Sequence, residues 1–183
     1  MKLAGLDFET ANGKYGSICA AGCAVLDEGN VTERREWLVC PHVGYRWMRP
    51  DFTEIHGLSY WDVCNCDEFA SIWPELQRML LSADCVVIHN APFDLSHLRS
   101  VLALYELPPV EFDYVDSLRI SRRLFPEMAS HSLDAMAEHF GIVFWHHDAL
   151  EDAAACAEIV ARTGIPEGFL HHFSTEFSPP WGR

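Results

Sequence analysis

The ten residues Leu3 to Asn12, LAGLDFETAN, constrain this chain more than any other stretch. An apolar run that reads as a β-strand ends in two acids, Asp7 and Glu9, spaced two apart. Strand side chains alternate, so both carboxylates project from one face while Phe8 points to the other. Like charges at the margin of a sheet interior cost free energy unless a cation, a proton or hydrogen-bond donors neutralise them. The pair alone fits either a strand end with both acids solvated or a metal site.

The segments that follow set the fold class. Gly13 to Gly16 form a loop, Ser17 to Leu26 a small-residue, apolar run suited to a buried strand, and Asp27-Glu28-Gly29-Asn30 a turn. Val31 to Cys40 interleaves charged and apolar residues, as on a strand with one wet face. Three consecutive strand signals predict an antiparallel meander. From Pro41 to Cys66 no period holds, and this long irregular connection contains Ile55-His56-Gly57. Taken alone, His56 reads as an ordinary surface or packing residue.

Helices begin at Asp67 to Leu81, where Phe69, Ile72, Leu76, Met79 and Leu80 recur at helical spacing and Pro74 strains the middle. Gln77 to Leu81 loosely resembles a bacterial sliding-clamp peptide, but a core face explains its apolar residues better. Asp84 to Ile88 reads as a short buried strand, and Pro92 suits the first turn of the next helix. There Asp94 shares the packed side with Leu98, where an acid needs a partner. Phe112 to Val115 reads as a strand, Asp116 as an N-cap and Ser117 to Phe125 as a helix stopped by Pro126. Its Arg119, Arg122 and Arg123 form the densest basic cluster, read as a solvated helix face in preference to a nucleic-acid contact. Ser132 to Phe140 is a short helix ended by Gly141, and Asp148 with Glu151 caps an alanine-rich helix from Ala149 to Thr163. The pattern is an α/β or α+β layered domain over residues 1–163, with a mixed sheet flanked by helices, and α/β is the class expected. The tail, 164–183, is rich in Pro, His and aromatics and either docks on the domain or binds a partner.

At 183 residues with 49% hydrophobic and 22% charged side chains, one soluble domain is expected. No apolar run approaches the roughly 18 residues of a membrane span, and the expected location is cytoplasmic. The net charge of -14 argues against a broad basic surface for nucleic acid, because Lys and Arg supply most non-specific affinity. Bound divalent cations can still reverse the field at a small site. Seven cysteines read as reduced thiols; Cys64-Asn65-Cys66 has no second pair at zinc-finger spacing. Glycine-rich phosphate loops, a Gly-x-Ser-x-Gly elbow and a Rossmann fingerprint are absent from the sequence.

Three segments carry acids in a telling order: Asp7-Phe8-Glu9-Thr10, His89-Asn90-Ala91-Pro92-Phe93-Asp94 and His147-Asp148-Ala149-Leu150-Glu151-Asp152. Together they resemble the three exonuclease motifs of the DEDD superfamily, most nearly the epsilon proofreading subunit of bacterial DNA polymerase III and its stand-alone relatives. The resemblance runs from Leu3 to Ala161 and implies a ribonuclease H-like fold. In the histidine branch a His stands five positions before the last Asp, which selects His147 and leaves His146 as a loop residue. The resemblance implies a metal-dependent 3′-to-5′ exonuclease acting on single-stranded or frayed DNA and releasing nucleoside 5′-monophosphates. Asp7, Glu9, Asp94 and Asp152 would hold two Mg²⁺ or Mn²⁺ ions, and His147 would accept the proton of the attacking water. Phe8, Thr10, His56 and Asn90 would lie on the substrate side. Ala11-Asn12 departs from the polymerase subunit's usual Thr-Gly and is expected to alter the edge of the nucleotide pocket. Two alternatives remain at this level: an RNA-directed enzyme resembling ribonuclease T or oligoribonuclease, and a non-catalytic module of a polymerase or repair complex.

Overall fold

The structure, a computed structural model, describes residues 1–176. Strands β1 (Lys2–Thr10), β2 (Ile18–Asp27) and β3 (Asn30–Leu38) form the expected antiparallel meander. β4 (Cys85–Ile88) adds to β1 in parallel, and β5 (Glu111–Asp116) adds to β4 in parallel. The sheet is closed at that side by β6 (His171–Ser174), antiparallel to β5, giving the order β3-β2-β1-β4-β5-β6. Part of the tail is thus an edge strand; residues 177–183 lie outside the described residues.

Seven helices accompany the sheet among the described residues: α1 (Pro50–His56), α2 (Tyr60–Val63), α3 (Phe69–Leu81), α4 (Ala91–Leu104), α5 (Ser117–Leu124), α6 (Leu133–Phe140) and α7 (Ala149–Thr163). The connection from Pro41 to Cys66 is more ordered than its lack of period suggests. It holds a 3₁₀ turn, Val43–Tyr45, followed by α1 and α2. Elements of one turn or two show no amphipathic period, so only their ends are written in sequence: Pro50 at the start of α1, Gly57 in the left-handed conformation at its end, and a Ser59–Asp62 capping box. Met79 and Leu80 are buried in the core, which removes the sliding-clamp reading of that segment. All seven cysteines are free thiols, and no helix among the described residues is long and apolar enough to cross a membrane.

Two apolar layers cover the sheet. One face packs Leu6, Phe8, Ile18 and Val25 against α3 and α4; the other packs Leu3, Ala24 and Leu26 against α6 and α7. Asp7 and Glu9 lie on the α7 face by strand alternation. α7 comes unusually near this face because Gly5 and Gly22 leave room for its backbone. A Cβ built on Gly5 would stand 1.8 Å from the Ala153 carbonyl oxygen, and one on Gly22 would stand 2.0 Å from that of Ala149. The small stripe Ala149, Ala153 and Ala157, spaced by four, runs over these two gaps. Gly5→Ala or Gly22→Ala is therefore expected to lower unfolding stability by about 3 kcal/mol or more, because backbone must move. Gly29→Ala, left-handed in an open turn, should cost only about 1 kcal/mol in the same urea titration.

Candidate active site

The acids meet at the carboxyl ends of the parallel strands β1 and β4, beside the amino end of α7. Asp7 pairs across the ladder with Gly22, whose missing side chain admits α7, and Asp152 in the first turn of that helix reaches the strand acids. Asp7, Glu9 and Asp152 each offer a carboxylate oxygen within 4.8 Å of the others. Asp94 enters from the neighbouring connection: β4 ends at Ile88, Asn90 turns the chain with φ 67°, and α4 starts at Ala91. Its carboxylate is 1% exposed, and Oδ1 accepts the Phe8 N–H at 3.0 Å. That bond ties the helix acid to the peptide between the two strand acids.

All four acids are driven away from ionisation. Burial raises the Asp7 carboxyl well above its ordinary range, and the charge of Asp152 adds to this. Glu9 is pushed up to about 9, by burial first and then by Asp7 and Asp152. Asp94 is raised by burial and by Asp7, and Asp152 by burial despite its bond to His146. Among the described residues no Lys or Arg pairs with any of them. An all-oxygen set of close carboxylates without a basic partner fits a hard divalent cation. The cluster opposes folding while no cation offsets it. In chelator, Asp7→Asn is expected to raise stability by about 1 kcal/mol or more. Added Mg²⁺ should raise the melting temperature of the natural chain progressively and that of Asp7→Asn far less.

The two histidines ahead of α7 do not divide as expected. His147 has a left-handed backbone, φ 67°, and donates its N–H to Asp152 Oδ2 at 3.2 Å. His146 places Nδ1 3.0 Å from Asp152 Oδ1, so it is part of the site and not a detached loop residue. The rings stack with centroids 3.9 Å apart. Burial and the neighbouring His146 hold His147 below its ordinary value, which favours a neutral imidazole. In sequence the doublet lies five and six positions before Asp152, and spacing alone cannot say which ring turns inward.

A cleft of about 740 Å³ opens over the acids, lined by Asp7, Asp152, His89, Asn90, Arg122 and His131 among others. Arg119, Arg122 and Arg123 are all exposed, as the reading of a solvated helix face expects. Arg119 turns toward His171 at 3.2 Å, whereas Arg122 lines the same cleft as Asp7 and Asp152. Asn90 sits at the rim with its N–H on Asp116 Oδ1 at 3.1 Å. His56 accepts the Leu58 N–H on Nδ1 at 3.0 Å, which puts the proton on Nε2, and Nε2 donates to the Thr10 carbonyl at 3.2 Å. The Thr10 side chain is buried, and the Phe8 ring is in the core, edge-on to Phe69 at 6.1 Å.

Ala11-Asn12 also needs correction, for neither side chain edges a pocket. Both are fully buried. Asn12 Nδ2 donates to the carbonyls of Tyr45 and Trp47 at 3.0 and 2.8 Å, and Oδ1 accepts the Lys14 N–H at 3.0 Å. The departure from Thr-Gly therefore fastens the end of β1 to the connection before α1. Asn12→Ala is expected to cost about 2 kcal/mol in denaturant titration, because buried partners lose their bonds.

Comparison with known proteins agrees with this geometry. An exonuclease family model, RNase_T, matches residues 5–160. The DNA polymerase III PolC-type protein of Thermotoga petrophila is 29% identical over 160 residues, covering 86% of this chain and 11% of that protein. The PolC-type protein of Streptococcus thermophilus is 26% identical over 147 residues, covering 80% of this chain and 10% of its own length. The chain thus spans about a tenth of these relatives. Among solved structures, exonuclease X in complex with 5′ overhanging duplex DNA superposes with a TM-score of 0.70 at 23% identity, covering 88% of this chain and 90% of that one. The nuclease domain of 3′hExo, a DEDDh family member bound to rAMP, gives 0.71 at 16% identity, with coverage of 88% and 90%. Such a family match and such neighbours, on a fold with this acid centre, define an exonuclease domain with a ribonuclease H-like mixed sheet. The chain belongs to the exonuclease family that the RNase_T model describes.

Proposed function

We propose that the chain is a 3′-to-5′ exonuclease that removes nucleoside 5′-monophosphates from single-stranded or frayed DNA ends. The convergence of Asp7, Glu9 and Asp152 within 4.8 Å, with buried Asp94 bonded beside them, carries this reading. Asp7, Glu9 and Asp152 would hold one Mg²⁺ or Mn²⁺ ion, and Asp7 with Asp94 a second. Bound there, the ions supply positive charge to the entering and departing oxygens of the phosphodiester.

The chain's own groups orient the substrate and move the proton. His147, exposed on its left-handed turn and favoured in the neutral form, accepts the proton of the attacking water. Arg122, lining the same cleft as Asp7 and Asp152, meets a backbone phosphate of the strand. The Phe8 peptide, Thr10, His56 and Asn90 seat the terminal nucleotide. Of these, Phe8 and Thr10 act through the backbone, since their side chains are buried. The PolC-type relatives support a place in replication or repair, with a polymerase or repair complex as partner.

The test is hydrolysis of 5′-labelled single-stranded oligonucleotides with Mg²⁺ or Mn²⁺. A ladder shortening from the 3′ end and release of 5′-monophosphates are expected, and chelator should abolish both. His147→Ala should lower the rate by about 10²-fold to 10⁴-fold, and His146→Ala by much less. The bond from His146 to Asp152 favours one second reading, in which His146 is the base, and the reverse ranking of the two variants would establish it. Matched DNA and RNA oligomers decide the substrate: faster cleavage of RNA would replace the DNA reading with the ribonuclease T-like one. A chain inactive with both metals on both substrates would be a binding module.

A further inference from the structure

His146, His147 and Asp152 form a second donor set, distinct in chemistry from the all-oxygen cluster. One ligand atom from each lies within 4.8 Å of the other two. The left-handed turn at His147 brings adjacent side chains, which an extended chain would send apart, into one stack with 24° between ring planes. Both histidines are exposed and His146 lines the cleft, while Asp152 is buried. Two imidazoles and a carboxylate suit a borderline ion such as Zn²⁺ far better than Mg²⁺, and three protein ligands leave a fourth position for water.

We propose that His146, His147 and Asp152 bind Zn²⁺ at the mouth of the cleft, and that this ion inhibits the nuclease. The inhibition rests on the exonuclease reading above; the binding does not. Asp152 belongs to both donor sets, so Zn²⁺ on its outer oxygen draws it from Asp7 and Glu9 and occupies the imidazole that would take the proton. Tetrahedral ligation at about 2.0 to 2.2 Å requires the three donors to close to about 3.4 Å spacing. Nδ1 of His146 and Oδ1 of Asp152 are already 3.0 Å apart, so the adjustment falls on the exposed His147 ring. Imidazole-containing sites rank Zn²⁺ above Mn²⁺, which lets micromolar Zn²⁺ act against millimolar Mg²⁺.

Binding is read by calorimetry with ZnCl₂ and by the visible absorption of Co²⁺ as a probe, in the full chain carrying Asp7→Asn and Glu9→Gln. These changes dismantle the oxygen cluster and leave the histidine set intact. One ion per chain is expected, without a thiolate charge-transfer band, and adding His146→Ala or His147→Ala should weaken binding by about tenfold or more. Unchanged binding in both histidine variants, or a thiolate band that assigns the ion to Cys64 and Cys66, would overturn the site. Inhibition is read as oligonucleotide hydrolysis at fixed Mg²⁺, each protein normalised to its own rate without Zn²⁺. His146→Ala should raise the half-inhibitory Zn²⁺ concentration by about tenfold or more, and equal sensitivity of the two proteins would overturn the inhibitory role. Histidine-dependent Zn²⁺ binding by a chain that hydrolyses nothing would uphold the site and sink the exonuclease reading instead.

Discussion

The close approach of α7 to the sheet is the constraint on which the rest depends. Two strand residues without side chains, Gly5 and Gly22, accept the carbonyls of Ala153 and Ala149 at distances no larger residue would permit. The helix is built for this, with alanines at the points of contact and Ile159 and Val160 in the apolar layer farther along. An ion pair from Arg34 on β3 to Glu151 holds its amino end to the outer part of the sheet. With the helix so close, Asp152 falls beside Asp7 and Glu9, and its neighbours ahead of the helix fall over the cleft. A side chain at either glycine would lift the helix and part the acid cluster together.

That centre is held against its own electrostatics. Burial raises all four acids, and neighbouring carboxylates add to it at Asp7, Glu9 and Asp94; the Phe8 N–H on Asp94 and the contacts of Asp152 with His146 and His147 act against it. The apolar layers on both faces supply the stability that keeps the acids together. Under the proposed function such a pre-formed cluster would exchange stability for cation binding. It also answers the charge balance of the chain. A net charge of -14 is compatible with a nucleic-acid substrate when the attraction is confined to the cation centre and to Arg122 in the cleft.

Much of the scaffold was legible because it rests on local rules. Asp116 and Asp148 cap α5 and α7 with their own carboxylates, Gly141 closes α6 in the left-handed conformation, and Asp94 has the partner that its packed position demanded. The short helices α1 and α2 escaped because one or two turns carry no period. β6 escaped because an edge strand of four residues gains its bonds from β5, not from its own pattern. Asn12 read as a pocket edge and proved to be a buried clamp, whereas Arg122 is solvated as read and also lines the cleft.

By itself the sequence determined the strand carrying Asp7 and Glu9 on one face, the helices carrying Asp94 and Asp152, and the motif order that marks the family. These follow from periodicity, capping and spacing, which act within a few residues. Only the tertiary structure decided that Asp7, Glu9 and Asp152 come within 4.8 Å, that the Phe8 peptide holds Asp94, and that His146 as well as His147 contacts Asp152. Those facts depend on how closely a helix can lie on two glycines and which way a doublet of rings turns at a left-handed residue. The first is a matter of steric fit between segments more than a hundred residues apart, and the second of a backbone conformation that residue spacing does not specify.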